Sequence, residues 1–365
     1  MAPLASPSRA VNTFDMQLHG VENMSASVVR MTLSSASEEC MAFSEGQYLA
    51  IELPDGSFRS YSMANARRHD GLIDLHIRLH PRGAFSRMII DRKLHPGSLL
   101  RVRGPFGDCV WQPNRGGISS TVLLATGTGI APLNALIERA LSLAHRQPIT
   151  LYWGGATVDD LYLLDHFERL ALQEPMFRFV PVLLQAPEDW RGERGYVQEA
   201  AARFHRDLST AEVYACGSPA MVHAARTLLC SACGLPDENF YSDAFEPSVT
   251  VSGDSADASA PAGKAILLSV RGVDGAQTPL AVTEGATVLS ALQQGGLVLG
   301  VCGGNKSCGT CRVKVDAEWF DLLTPADRVE RRLLAALDDS HPSDRLACQI
   351  TAGSAIDGLA ISIHP

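Results

Sequence analysis

Apolar and polar positions change rhythm along the chain. Residues 11 to about 113 carry short alternating segments: Ser27 to Leu33, Tyr48 to Leu53, Leu72 to Leu79 and Leu99 to Arg103. Turns rich in Gly, Pro and Asp separate them. A period of two marks half-buried strands, so this stretch predicts an antiparallel sheet or small barrel. From about 118 the rhythm changes. Val122-Leu123-Leu124-Ala125 is a wholly apolar strand, and Leu133, Leu136, Ile137, Ala140, Leu141 and Ala144 recur at helical spacing. Strand-like runs at Ile149 to Trp153, Phe179 to Leu184 and Glu212 to Ala215, with helices between, predict a parallel α/β sheet over 118–245. Residues 246–263, rich in Ser, Ala, Asp, Pro and Gly, predict an 18-residue linker. After it, Ile266 to Val270 and Leu280 to Val282 predict a hairpin, and Val288 to Gln294 a helix.

Length and composition narrow the function classes. A chain of 365 residues predicts two or three domains, and 46% hydrophobic residues can fill their cores. The net charge of −9 and the lack of a basic stripe interleaved with aromatics argue against a nucleic-acid partner. Met1 to Ala10 lacks an apolar signal-peptide core, and no apolar run approaches the ~18–20 residues that span a bilayer. A cytoplasmic location and no membrane partner are therefore expected. Nine cysteines in such a chain point to reduced thiols or metal ligands rather than disulfides. Cys230-Ser231-Ala232-Cys233 has C-x-x-C spacing, but it ends a helical stretch from Ala220 to Ala232, before Gly234 and Pro236. Redox pairs of this kind sit at helix starts, where the dipole lowers a thiol pKa, so no redox role is expected here.

Four other cysteines form one arrangement. Cys302, Cys308 and Cys311 have C-x5-C-x2-C spacing, and Cys348 follows after 36 further residues. A [2Fe–2S] cluster takes four thiolates, two per iron, on a loop whose N–H groups face the sulfurs. Gly303, Gly304 and Gly309 supply the backbone freedom such a loop needs. A structural zinc site also takes four cysteines but favours two close pairs, whereas here three cluster and one stands apart.

Upstream, Arg59-Ser60-Tyr61-Ser62 follows a strand-like run, and alternation sends Arg59 and Tyr61 to one side, where a phosphate and a flat ring could be met. His76-Ile77-Arg78 and the turn Gly83-Ala84-Phe85-Ser86 add cationic, N–H and hydroxyl donors, although His76 and Arg78 also suit a solvated strand face. Gly104-Pro105-Phe106-Gly107 reads as a plain turn as readily as a motif. Gly127-Thr128-Gly129-Ile130-Ala131-Pro132 lies between a strand and a helix, where glycines admit a close phosphate at the helix N-terminus; Pro132 replaces the third glycine of G-x-G-x-x-G. Cys216-Gly217-Ser218-Pro219 follows the Glu212 to Ala215 strand at the carboxyl edge, where α/β sheets bind ligands. Cys216 taken alone suits a small buried hydrophobe.

In this order the motifs of residues 11–245 resemble those of the ferredoxin–NADP reductase superfamily, especially reductase components of bacterial oxygenases. The resemblance implies an antiparallel flavin-binding β-barrel over 11–113 and a parallel α/β nicotinamide-nucleotide domain over 118–245. It gives Arg59 to the flavin phosphate, Tyr61 to the isoalloxazine face and Ser62, beside Ser60, to the neighbourhood of N5. It gives the Gly83 to Ser86 turn to pyrophosphate, and His76, Ile77 and Arg78 to the flavin lining. Gly127, Thr128, Gly129, Ile130 and Pro132 would cradle the nicotinamide nucleotide, with Cys216, Gly217, Ser218 and Pro219 beside the nicotinamide. Ser242-Asp243-Ala244-Phe245 matches the closing segment, whose aromatic residue shields the flavin. Residues 264–365 resemble a ferredoxin of the adrenodoxin and putidaredoxin type, an α+β β-grasp fold in which Cys302, Cys308, Cys311 and Cys348 hold the cluster. An acidic helix often docks the partner there. Here Asp316, Glu318, Asp321, Asp327 and Glu330 are interrupted by Arg328, Arg331 and Arg332. With 9 Lys/Arg against 11 Asp/Glu over 264–365, a mixed, solvated face is as fitting.

Nicotinamides give up electrons in pairs and a [2Fe–2S] cluster takes them singly, and a flavin between them reconciles the two. The expected device carries electrons from NADH through FAD and the cluster to a terminal oxygenase component: Rieske, haem-thiolate or di-iron. If flexible, the linker has an r.m.s. span of about 23 Å. FAD is preferred to FMN on the Gly83 to Ser86 and Gly104 to Gly107 segments. NADH is preferred to NADPH because no Lys or Arg occurs from Gly154 to Glu168 to meet a 2′-phosphate. Two readings stay open beside this one: a flavin–iron–sulfur reductase acting on a small substrate such as a deoxysugar intermediate, and a flavin reductase with a zinc-bound docking domain.

Overall fold

The computed structural model describes residues 12–37, 40–111, 116–143, 147–245, 264–272, 275–298, 300–302, 304, 306, 308–335, 337 and 339–364. The predicted linker, Ala144 and Gly303 lie outside them. The chain forms two compact units, one over Thr13–Glu246 and one containing Pro247–Pro365.

The larger unit opens with β1 (Asn12–Asn23), β2 (Val28–Ser35), β3 (Tyr48–Glu52), β4 (Phe58–Ser62), β5 (Ile73–Arg78), helix α1 (Ala84–Ile90) and β6 (Leu99–Phe106). The strands pair in the order β4-β3-β6-β1-β2-β5. A bridge between Met63 and Leu75 brings the two outer strands together, closing the sheet into a barrel. Met31, Leu33, Leu49, Ile51, Leu75, Ile77 and Val102 fill it from alternate positions.

The pattern missed β1, where only Met16 and Leu18 are buried and an irregularity before Gly20 breaks the alternation. It also placed Arg59 to Ser62 after a strand; they are β4 itself. Gly83 to Ser86 is not a turn but the start of α1, with Gly83 as its N-cap. Gly104 to Phe106 is strand rather than turn, with a cis Gly104–Pro105 bond.

The second half of this unit runs β7 (Ser120–Thr126), a 3₁₀ turn (Gly127–Gly129), α2 (Ile130–Ser142), β8 (Ile149–Gly155), α3 (Leu164–Gln173), β9 (Phe177–Leu183), β10 (Glu193–Arg194), α4 (Val197–Phe204), β11 (Ala211–Gly217), α5 (Pro219–Ala232) and β12 (Phe240–Ala244). All six strands are parallel, in the order β10-β9-β8-β7-β11-β12. One core packs α2 and α3 on the sheet and another packs α4 and α5 on its other face. The chain winds outward from β7 to β10, then returns to β11 on the other side of β7. The topological switch point, where such sheets bind ligands, therefore lies between the carboxyl ends of β7 and β11. Glycines 127 and 217 stand there. Strand β11 runs two residues past Ala215, so Cys216 and Gly217 belong to it.

α2 also ties the sheet to the barrel. Asn134 Nδ2 donates to Ala64 O at 2.8 Å, and Glu138 Oε2 accepts from Ala66 N at 2.9 Å.

The smaller unit has β13 (Ala265–Arg271), β14 (Gln277–Thr283), α6 (Val288–Gln294), β15 (Arg312–Val315), α7 (Ala317–Phe320), α8 (Arg328–Ala335), β16 (Asp344–Leu346) and β17 (Leu359–Ile363). Its mixed sheet, β14-β13-β17-β15-β16, has β13 and β17 parallel at the centre. With α6 packed over it, this is the predicted β-grasp arrangement. Glu330 on α8 departs from the solvated face expected of it. It is 1% exposed, and its carboxylate accepts from Arg345 Nε at 2.9 Å and Leu346 N at 2.8 Å.

Candidate functional site

On β4, Arg59 and Tyr61 share one side of the strand, and Ser60 and Ser62 the other. Tyr61 lies against Phe85, the ring centroids 5.5 Å apart, and burial pushes its hydroxyl well above the usual range. It is neutral at any working pH. The Arg59 guanidinium is half exposed and donates to Phe58 O at 2.8 Å and Ser57 Oγ at 3.3 Å. Three of its five N–H groups have other directions to serve. Ser62 is buried, opposite Tyr48 in the β3–β4 ladder. A Cβ at Gly83 would stand 3.3 Å from His80 O and Ser86 Oγ, and the Ser86 hydroxyl accepts His80 N–H at 3.0 Å. Ala84 is exposed beside buried Phe85 in the first turn of α1.

The β5 residues meet the α/β half. His76 Nδ1 lies 3.1 Å from Tyr162 Oη, and burial lowers its pKa to about 4, so the ring is neutral. Arg78 Nη2 donates to Asp160 Oδ1 at 2.9 Å. The polar atoms of this pair, assigned by resemblance to the flavin lining, thus engage residues 160–162. Burial alone would raise the Asp160 carboxyl. Hydrogen bonds from Arg78, Thr157 N and Ala156 N outweigh it and hold the group below the usual carboxylate range. Ile77 points into the barrel core, so only its backbone could meet a ligand.

At the switch point, two glycines are there for close packing. A Cβ on Gly129 would stand 2.1 Å from Cys216 O, and one on Gly217 (φ +138°) 2.3 Å from Thr126 Oγ1. Gly127 has φ +54°, and its carbonyl accepts Trp153 Nε1 at 2.9 Å. Thr128 is half-buried, Ile130 is fully buried, and Pro132 sits in the first turn of α2, where its missing N–H costs nothing. Ser218 caps α5, accepting Met221 N at 3.3 Å, with Pro219 next. The Ser218 N–H donates to Thr126 Oγ1 at 3.1 Å. Phe245 is half-buried, its N–H on Gly217 O at 2.7 Å. The Cys216 side chain is fully buried under α2, with its sulfur 3.9 Å from Cys109 Sγ. Thr126, Asp160, Tyr162 and Cys109 escaped the sequence reading, because each gains its place only from a contact distant along the chain.

The four cysteines expected to hold the cluster meet in two pairs in the smaller unit. Cys311 Sγ donates to Cys348 Sγ at 3.5 Å, and Cys302 hydrogen-bonds Cys308. Burial pushes the Cys308 thiol up, whereas the bond from Cys311 draws Cys348 down. Donors converge on the sulfurs: Thr310 N on Cys308 at 3.4 Å and Gln349 Nε2 on Cys348 at 3.2 Å. Gly304 and Gly309 have φ of +106° and +71°. Among the described residues no three metal-binding side chains close on one point. Two thiol pairs suit a binuclear cluster, with two thiolates per iron, better than one tetrahedral ion. Lys306, between the first two cysteines, is tied to Asp327 at 2.5 Å.

Comparison with known proteins finds the three expected domain types in the expected order. Residues 15–111 match the oxidoreductase FAD-binding domain, 123–227 the oxidoreductase NAD-binding domain, and 272–353 the 2Fe-2S iron-sulfur cluster binding domain. The chain belongs to the ferredoxin–NADP reductase superfamily and carries a [2Fe–2S] domain at its C-terminal side. It is an NAD(P)H-dependent oxidoreductase. Over 236 residues it is 34% identical to the CDP-6-deoxy-L-threo-D-glycero-4-hexulose-3-dehydrase reductase of Yersinia pestis, covering 65% of this chain and 70% of that protein. Reductase component 1 of terephthalate 1,2-dioxygenase from Comamonas is 34% identical over 211 residues, 57% of this chain and 61% of the relative. The Amycolatopsis cytochrome P450 reductase GcoB superposes with a TM-score of 0.61 at 28% identity, over 68% of this chain and 74% of that one. An intact type IV self-sufficient cytochrome P450 monooxygenase shares the fold over 96% of this chain and 41% of its own, with a TM-score of 0.67 at 19% identity. No helix among the described residues is long and apolar enough to cross a membrane.

Proposed function

We propose that this reductase oxidises NADH and delivers electrons one at a time, through FAD and a [2Fe–2S] cluster, to the terminal component of an oxygenase. The observation that carries this reading is the presence in one chain of a glycine-lined switch point, tied to a barrel, and a three-cysteine loop met by Cys348. A flavin held here would supply the conversion from paired to single electrons; the chain's residues do the holding and orienting. Arg59 would meet the flavin phosphate, Tyr61 the ring face and Ser62 the edge near N5, with Phe245 covering. The 127–132 turn and residues 216–219 would receive the nicotinamide nucleotide, and Cys302, Cys308, Cys311 and Cys348 the cluster. We assign the flavin domain to 11–113, the nucleotide domain to 118–245 and the ferredoxin domain to 264–365, in a cytoplasmic protein.

NADH is favoured because the segment after β8 presents Asp159 and Asp160 and no cation, a poor setting for a 2′-phosphate. A second reading rests on the Yersinia relative: direct delivery of electrons to a deoxysugar-synthesis intermediate. The visible spectrum before and after anaerobic NADH tests the electron route. Flavin and broad cluster absorbance should both bleach. Flavin bands alone, with zinc in the metal analysis, would overturn it. NADH consumption that rises on adding an oxygenase component, and not on adding a dehydrase with its sugar nucleotide, separates the two acceptors.

A further inference from the structure

Cys109 and Cys216 come from different halves of the larger unit, and their sulfurs stand 3.9 Å apart. The meeting has a register. The segment leaving β6 runs back along β11, so that Trp111 stacks on Tyr214, centroids 5.9 Å apart at 25°, while Cys109 meets Cys216. Two residues forward on one segment answer two residues back on the other. Both backbones are held. A Cβ on Gly46 would stand 2.0 Å from Cys109 O, and one on Gly129 2.1 Å from Cys216 O. The thiols are 2% and 0% exposed, unlike Cys40, which is open to solvent.

We propose that Cys109 and Cys216 form an oxidative modification site, a dithiol that hydrogen peroxide converts to a disulfide joining the barrel to strand β11. One thiol reacts with peroxide to give a sulfenic acid and water. The neighbouring sulfur then displaces that hydroxyl, the S–S bond forms, the S–O bond breaks, and a second water leaves. Two thiols lose two electrons and two protons, and one peroxide becomes two waters. The sulfurs must close to about 2.05 Å. The Cys216 thiol beside it, together with burial, holds the Cys109 thiol well above its ordinary value, so thiolate is scarce and reaction slow. The site therefore answers sustained peroxide. Its source rests on the function proposed above: a reduced flavin that meets dioxygen instead of its acceptor passes two electrons to it and yields hydrogen peroxide. Because Cys216 O packs on Gly129, the bond restrains the nucleotide turn and slows further NADH oxidation.

The test treats the full-length, cofactor-loaded protein with hydrogen peroxide and maps thiols by mass spectrometry without reduction. The expected result is a linked peptide containing Cys109 and Cys216, reversed by dithiothreitol and absent in Cys109→Ser. NADH–ferricyanide turnover should fall at least two-fold in step in the wild type and hold in the variant. Oxidation of Cys40 with both buried thiols recovered free, or a different pairing, overturns the proposal. A parallel sample cycled with NADH in air, with and without catalase, tests the source. A catalase-sensitive link supports the flavin, and a link formed only with added peroxide removes the flavin as source while the dithiol site stands.

Discussion

Arg78 of the barrel and Asp160 of the α/β half form an ion pair at 2.9 Å, beside the turn proposed to receive the nucleotide: the Cβ position of Gly127 is 3.6 Å from the Arg78 guanidinium. Asp160 has a second task, since its other oxygen accepts Ala156 N at 2.9 Å and Thr157 N at 3.2 Å. The two ends of the pair are therefore not equivalent. Arg78→Ala should lower unfolding free energy by about 0.5–1 kcal/mol, the range of a partly exposed pair. Asp160→Ala, which also removes the acceptor shared by two loop N–H groups, should cost about 1–2 kcal/mol. Urea midpoints of both single variants and the double variant decide it. Equal losses at the two positions would remove the loop-holding role of Asp160.

His76 makes the contact between the halves sensitive to acid. Its folded pKa of about 4 lies below the ordinary value of 6.5, so the unfolded chain binds the proton first. Stability is then full above about pH 6.5 and declines as pH falls towards 4, by up to about 3 kcal/mol in all. Denaturation midpoints at pH 7 and pH 5 should differ more in the wild type than in His76→Gln. A slope unchanged by that substitution would place the acid sensitivity elsewhere.

The glycines of the switch point are tested by alanine. At Gly129 a Cβ would press on backbone, 2.1 Å from Cys216 O, and backbone cannot swing aside as a side chain can. Gly129→Ala should cost at least about 1–3 kcal/mol and raise KM for NADH. Gly116, with open space around its Cβ position and no positive φ, is the control, and Gly116→Ala should leave both unchanged. Thermal unfolding and NADH–ferricyanide kinetics on the pair read this out.

Much of this was legible because local signals and tertiary demand agreed. The 122–125 run is buried, the helix after it buries Leu133, Leu136, Ile137 and Ala140 at the spacing the sequence shows, and 288–294 is the helix expected. The C-x5-C-x2-C spacing was legible for the same reason: three of the four proposed ligands sit on one loop, and only Cys348 comes from farther along the chain. What escaped is what the chain assembles from afar. β1 carries too short an alternation to be seen, with two buried apolar residues and an irregularity between them and the rest of the strand. Glu330 has the spacing of a solvated helix face, and only the arrival of Arg345 and Leu346 makes its burial tolerable. At Gly129 the sequence shows a glycine suited to a phosphate turn, and only the fold adds its tightest neighbour, the carbonyl of Cys216, 87 positions along the chain.

Electron flow should divide at the flavin. Cys308→Ser removes one of the four proposed cluster thiolates and should abolish the broad cluster absorbance while leaving NADH–ferricyanide turnover largely intact, because a flavin reduces ferricyanide directly. Loss of that turnover in a folded, flavin-loaded variant would overturn the modular route. Arg59→Ala should act on the other side of the divide, with less flavin retained after dialysis and the cluster spectrum kept.

The buried pair Glu330 and Arg345 makes the sharpest stability prediction. The two side chains are 2% and 3% exposed, joined at 2.9 and 3.2 Å, and the same carboxylate holds Leu346 N two residues before Cys348. Glu330→Ala leaves a buried guanidinium without its counter-ion and should cost about 3–5 kcal/mol, whereas removing both charges with apolar residues of similar volume should cost far less. The cluster reports the same event. Because the carboxylate fixes the backbone leading to Cys348, Glu330→Ala should bleach faster on mild warming than the wild type, while the flavin bands persist. Bleaching at the wild-type rate would show that the pair supports the fold of the smaller unit without setting the arm that carries Cys348.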